Sequence, residues 1–267
     1  MDVDPFKKPI VSFYDGYAIN ADCMDVNVIN DVRDLVPGRN VPLIVADPPY
    51  GGIVSEDWDN LLSPDDLAAE LSRFTRWYAN LIVTPGGAIY VWGGLGKPGN
   101  RAFLRYLVET EVPGQLELAN VITWAKKRAY GVQNNYLWTR EECAYWVVGD
   151  AKKPRMFNIP LLDEKRGYAG YNARYPAKSE YYRRTNVWTD VTEIFRGKVH
   201  PTQKAQQVIE IPIQVHTAPG EWVLDPFAGS GTTAFAARAL GRRWIVIEKD
   251  PAYFEAMVQR LKELNDE

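Results

Sequence analysis

The chain has 267 residues, 46% of them hydrophobic, and a formal net charge of −3. No run approaches the roughly 18 apolar residues that cross a bilayer, and Met1-Asp2-Val3-Asp4-Pro5 has no signal-peptide pattern. Two cysteines (Cys23, Cys143) and two histidines (His200, His216) form no ligand cluster at zinc-like spacing, so the reading is a cytoplasmic, disulfide-free, metal-independent α/β domain with an inserted lobe.

In chain order, a strand is expected around Tyr17-Ala18-Ile19, then the polar turn Asn20-Ala21-Asp22-Cys23, then a short helix over Met24 to Leu35. Pro42-Leu43-Ile44-Val45-Ala46 has the length and β-branched content of a buried strand. Asp47-Pro48-Pro49-Tyr50 must end it, because neither proline has an N–H to give a sheet ladder. The result is a stiff elbow at the sheet's carboxyl edge, where ligands of open α/β sheets bind. A carboxylate and a carbonyl there can each accept a hydrogen of one –NH2 group while Tyr50 stacks on the ring that carries it. A planar amine such as a nucleobase suits that receptor, although a strand-ending turn alone needs no function.

Gly51 to Asp59 reads as a loop over this site. Ser63-Pro64-Asp65-Asp66 is a strong helix start, and Leu67, Leu71, Phe74, Tyr78 and Leu81 recur at helical spacing. Pro85-Gly86-Gly87 is expected to break that helix before a strand at Ala88–Trp92. A helix from about Asn100 to Thr110 would bury Phe103, Leu104, Leu107 and Val108. Strands follow around Asn120–Trp124 and Cys143–Val148. The connector holding Lys126, Lys127 and Arg128 reads first as a solvated turn, with phosphate contact as the functional alternative.

Residues 150–199 differ in texture. Periodicity fades, and Tyr168, Tyr171, Tyr175, Tyr181 and Tyr182 interleave with Arg166, Arg174, Lys178, Arg183 and Arg184. From Ala151 to His200 there are eleven Lys/Arg against five Asp/Glu, so a basic patch rides on an acidic body. That pattern points to nucleic acid meeting one face, with Lys126, Lys127, Arg128, Arg174, Arg183 and Arg184 as candidate contacts.

Order resumes at His200-Pro201-Thr202-Gln203-Lys204, and Val208 to Val215 follows as a helix in which Pro212 predicts a kink or break. Trp222-Val223-Leu224 leads into Asp225-Pro226-Phe227-Ala228-Gly229-Ser230-Gly231-Thr232-Thr233, a glycine turn opening a helix. It lacks the Walker lysine and the dinucleotide G-x-G-x-x-G pattern. The next strand ends at Glu248, placed to bond both ribose hydroxyls of a nucleoside. Acids on both sides of the turn disfavour a pyrophosphate and fit S-adenosylmethionine.

With these residues in place, the chain closely resembles the amino-methylating DNA methyltransferases that act on adenine N6 or cytosine N4. Asp47, Pro48, Pro49 and Tyr50 look like the catalytic motif, and Asp225, Phe227, Ala228, Gly229, Gly231 and Thr232 like the cofactor loop. His200, Thr202, Gln203 and Lys204 look like the segment preceding that loop, while Asp22 and Cys23 sit where the family meets the cofactor's adenine. The order, catalytic half first and cofactor half last, is similar to the permuted beta group. The resemblance implies a doubly wound, mostly parallel seven-stranded sheet, circularly permuted. Its catalytic half would span 1–149, a target-recognition insertion 150–199 and a cofactor half 200–267. It implies an S-adenosylmethionine-dependent enzyme acting on double-stranded DNA, adenine favoured over cytosine by the leading Asp47. A non-catalytic DNA-binding protein on the same fold, a restriction endonuclease partner and a homodimer stay open. Ala205 stands where the family usually has proline, and Val246 where glycine is common.

Overall fold

In the computed structural model, the structure describes residues 9–49, 63–94, 101–130, 133–134, 136–165, 179–192 and 204–263. Tyr50, the loop expected at 51–59, Arg166, Tyr168, Tyr171, Arg174, Tyr175, Lys178, His200, Thr202 and Gln203 lie outside them.

Along the chain run β1 (Ile10–Ser12), β2 (Gly16–Asn20), α1 (Val26–Leu35), β3 (Val41–Ala46), α2 (Pro64–Leu81), β4 (Val83–Gly93), α3 (Ala102–Glu109), β5 (Leu116–Tyr130) and β6 (Trp138–Val148). The second half adds β7 (Leu161–Lys165), β8 (Tyr181–Arg183), β9 (Val187–Trp188), α4 (Gln206–His216), β10 (Trp222–Asp225), α5 (Thr232–Ala239), β11 (Arg243–Glu248) and α6 (Pro251–Glu263). The main sheet has the order β1-β2-β11-β10-β3-β4-β6-β5-β9. Strands β2, β11, β10, β3 and β4 are parallel, and the β5–β6 hairpin joins β4 antiparallel. The expected seven strands are therefore present, and among the described residues two short ones, β1 and β9, extend the edges to nine.

Side chains of β3 point alternately to the two faces of the sheet, as strand geometry demands. Leu43 and Val45 join a core with α4, α5 and α6, while Ile44 and Ala46 join a core with α1, α2 and α3. All six residues of β3 are buried, as expected of a parallel strand with helices on both faces. Each large aliphatic side chain so placed stabilises the fold by about 1.5–3 kcal/mol.

Crossover helices set the site. From β3 the chain passes through α2 to β4; from β10 it passes through α5 to β11 on the other face. Strands β3 and β10 are neighbours, with Leu224 opposite Ile44, so the winding direction reverses between them. That reversal opens a crevice at their carboxyl ends.

Several local expectations change. Helix α2 starts as foreseen, with Ser63 Oγ accepting from the Asp66 amide, but it ends at Leu81, before Pro85. Arg39 donates to the carbonyls of Ala79, in its last turn, and Val83, at the start of β4. Pro85-Gly86-Gly87 lies inside β4, at the irregularity where pairing with β3 shifts register. In α3 the buried stripe is Ala102, Phe103 and Tyr106, whereas Leu104 and Val108 face out. The run Lys126-Lys127-Arg128 extends strand β5, correcting the turn. Helix α4 continues through Pro212 unbroken. The 150–199 segment returns to the main sheet through β9, and Trp188 and Val191 enter its core.

Candidate active site

Asp47 leaves β3 at the crevice, half-buried, with Pro48 buried behind it. Lys204, just ahead of α4, is buried and places Nζ 2.7 Å from Asp47 Oδ1 and 3.0 Å from Glu141 Oε2. Glu141, on β6, also pairs with the ammonium of Lys126 on β5. Four charges of alternating sign thus run Lys126–Glu141–Lys204–Asp47. The Lys204 ammonium lies 5.2 Å from the centre of the Trp92 ring, which meets Trp124 and Trp188 edge to face. Burial raises the Glu141 carboxyl, but the two lysines outweigh it and hold it at about 2. Burial alone would lower Lys204; Asp47 and Glu141 reverse that and raise it. Removing Lys204 would leave two carboxylates facing each other, which costs about 3–5 kcal/mol for a buried pair.

Across the crevice, the turn after β10 is held from both sides. Burial pushes the Asp225 carboxyl up to about 7, despite bonds donated by the Thr233 hydroxyl and the Phe227 amide. Glu248, one strand further at the same edge, accepts from the Gly229 amide at 2.7 Å and from the Asp250 amide at 2.8 Å. Burial raises its pKa as well. Gly229 and Gly231 have φ of 50° and 80°, where only glycine is unstrained. Ala228 is buried, Thr232 opens α5, and the Phe227 ring meets Phe74 edge-on.

On the outer side, Asp22 accepts from the Met24 amide and pairs with Lys249 at 2.8 Å. Burial raises the Asp22 carboxyl, but Lys249 and the amide bring it below its ordinary value. Cys23 is buried, and its carbonyl accepts from the Tyr78 hydroxyl. Asn20 Nδ2 donates to the Glu248 carbonyl, fastening this turn to the end of β11.

Of the residues expected here, Asp47, Pro48, Pro49, Asp22, Cys23, Lys204, the loop from Asp225 to Thr232 and Glu248 lie at one carboxyl edge. Lys204 is placed against Asp47, on the catalytic side, although the motif resemblance assigns it to the cofactor. Glu141 was not anticipated. Its signal is Arg140-Glu141-Glu142 at the head of the apolar run Cys143–Val148, where alternation puts the two acids on opposite faces. Ala205 takes φ −63°, the value a proline ring would fix, so the departure there changes no backbone geometry. Val246 is fully buried inside β11.

Among the candidate phosphate contacts, Lys127, Arg128 and Arg183 are exposed. Lys126 is held by Glu141, and Arg184 is held by Asp190 at 2.5 Å with its guanidinium over Trp188.

The turn fits S-adenosylmethionine on its own terms. Two carboxyl groups flank glycines whose backbone a ligand can approach closely, an acceptor set suited to hydroxyl groups and an ammonium and hostile to phosphate. Comparison with known proteins agrees. The N6/N4 DNA methylase family matches residues 41–259, and the chain belongs to it. The methyl donor of that family is S-adenosylmethionine.

Among curated relatives, the type II methyltransferase M2.LlaDCHI of Lactococcus lactis subsp. cremoris is 31% identical over 239 residues, 84% of this chain and 82% of its own length. M2.DpnII of Streptococcus pneumoniae is 30% identical over 85% of each chain. Among solved structures, M1.HpyAVI in complex with S-adenosylmethionine is 26% identical, with a TM-score of 0.59 over 91% of this chain and 98% of its own. The cytosine-N4-specific PvuII methyltransferase shares the fold, with a TM-score of 0.67 at 18% identity over 96% of this chain and 89% of its own.

Proposed function

We propose that the enzyme methylates the N6 amino group of adenine at a specific site in double-stranded DNA. The observation that carries the proposal is the Asp47 carboxylate at the crevice, fixed by the buried ammonium of Lys204. An exocyclic amine is a weak nucleophile because its lone pair is delocalised into the ring. Asp47 and the Pro48 carbonyl accept its two hydrogens and draw the lone pair out of conjugation, which is positioning and electrostatics without a covalent enzyme intermediate.

Bound S-adenosylmethionine supplies an electrophilic methyl group on a sulfonium. Glu248 bonds its ribose hydroxyls, Asp22 and Cys23 border its adenine, and Asp225 with the Phe227–Thr232 turn holds its amino-acid end. The family resemblance gives His200, Thr202 and Gln203, which precede Lys204 in the chain, to the cofactor as well. The target base must leave the duplex at a cost of a few kcal/mol, and stacking on Tyr50, worth about 1–3 kcal/mol, offsets much of that. Lys127, Arg128, Arg174 and Arg183 meet the phosphates.

Adenine is preferred to cytosine because Asp, not Ser, leads the tetrapeptide. The test is nucleoside mass spectrometry of unmethylated DNA treated with the purified enzyme, with Asp47→Ala as control. N6-methyladenine that vanishes in Asp47→Ala, with S-adenosylmethionine binding intact, is the expected result. N4-methylcytosine instead would overturn the base assignment.

A further inference from the structure

The methyltransferase reading accounts for Asp47 and the glycine turn but gives no task to Glu141. This carboxylate stands on β6 opposite Trp124, at the head of a run, Cys143 to Val148, that is buried throughout. It holds two ammonium groups, Lys126 on β5 and Lys204 before α4, and Lys204 reaches on to Asp47. Its neighbour Glu142 pairs with Arg140 at 2.9 Å. As a stabiliser such a network is weak, since desolvating several charges consumes most of their mutual attraction. As an orienting device it is effective, because each member limits the rotamers of the next.

We infer that Glu141 is a positioning residue for methyl transfer, acting through the Lys204 ammonium on the Asp47 carboxylate. Two effects combine. Glu141 pins Lys204 from the side away from β3, so Asp47 meets the incoming amine in one orientation. It also shares the ammonium's charge. Lys204 given over wholly to Asp47 would neutralise that carboxylate one-to-one and weaken it as an acceptor for the amine hydrogens. Lys126 balances the second carboxylate, which leaves the four-group chain electrically neutral.

The inference rests on the methyltransferase reading, and the experiment separates the two. Single-turnover methylation of unmethylated mixed-sequence double-stranded DNA is measured for the full chain at saturating S-adenosylmethionine. Cofactor affinity by calorimetry and a thermal melt accompany it. In Glu141→Gln the rate should fall by about tenfold or more, because misplacing a reacting group is expensive. S-adenosylmethionine Kd should stay within about twofold, since Glu141 would act on the chemical step and not on cofactor binding. Glu141→Asp, which keeps the charge and shortens the reach, should fall between the two, about threefold below wild type. If Glu141→Gln does not fold, Glu141→Asp carries the test alone through the same split between rate and Kd. A wild-type rate in either folded variant overturns the assignment, as does cofactor affinity falling in step with rate. A wild-type chain that leaves the DNA unmethylated overturns the methyltransferase reading itself.

Discussion

Tyr90 and His216 meet between the sheet and α4, with the phenol oxygen 3.1 Å from Nε2 of the imidazole. On the ring's other side, Nδ1 lies 2.9 Å from the Met156 carbonyl. A carbonyl only accepts, so Nδ1 carries the proton and Nε2 accepts from Tyr90. His216 is therefore a neutral, doubly bonded group, and burial pushes its pKa down to about 4.

The sign of its pH effect follows. Between about pH 6.5 and 4 the unfolded chain binds a proton at this position and the folded chain does not, so stability falls as pH falls. The full effect is about 3 kcal/mol. Urea unfolding of His216→Gln across that window should show the acid-side loss reduced by this amount relative to wild type.

Asp225 has the opposite slope. Its folded pKa, about 7, lies above the value of 3.8 for an ordinary aspartate, so its contribution is present at low pH and lost as pH rises from about 4 through 7. Asp225→Asn keeps an acceptor for the Phe227 amide without the buried charge. At pH 8 it should unfold at higher urea than wild type, by up to about 2–4 kcal/mol, while losing affinity for S-adenosylmethionine. Cofactor binding by wild type near pH 7 should release protons, visible as a dependence of calorimetric enthalpy on the buffer's ionisation heat.

Gly231→Ala tests the turn. A methyl group there must adopt φ 80°, and its Cβ would sit 2.7 Å from Met257 Cγ. The left-handed backbone costs about 1–2 kcal/mol whatever the neighbour does. Thermal melting should report that loss, and adding Met257→Ala should recover none of the backbone part.

Arg183 and Arg184 are expected to separate. Arg183 is exposed, so Arg183→Ala should reduce the slope of log affinity for DNA against log salt by about 1. Arg184 is tied to Asp190 and lies over Trp188. Arg184→Ala should lower the melting temperature and leave the salt slope nearly unchanged.

Where local chemistry decides, the amino-acid order was readable. Ser63-Pro64 set the start of α2, the double proline after Asp47 ended β3, and the glycines before Thr232 opened α5. Where two local patterns compete, tertiary packing chose. Leu104 and Val108 have helical spacing, but the stripe containing Tyr106 meets Trp146 and is the one buried. The basic run after Trp124 reads as a turn, yet pairing of Ala125 with Arg140 carries it on as strand. The Glu141–Lys204–Asp47 contact was not readable, because it joins three remote segments and depends on which strands lie side by side.

That adjacency has a consequence for synthesis. Strand β11, near the end of the chain, is hydrogen-bonded to β2, near its beginning, and β10 fills the place between β11 and β3. Until both late strands have emerged from the ribosome, β2 and β3 each present a row of unmatched amides and carbonyls, the kind of rim on which neighbouring polypeptides aggregate. Catalytic competence and protection from self-association therefore arrive together, once β10 and β11 take their places between β2 and β3.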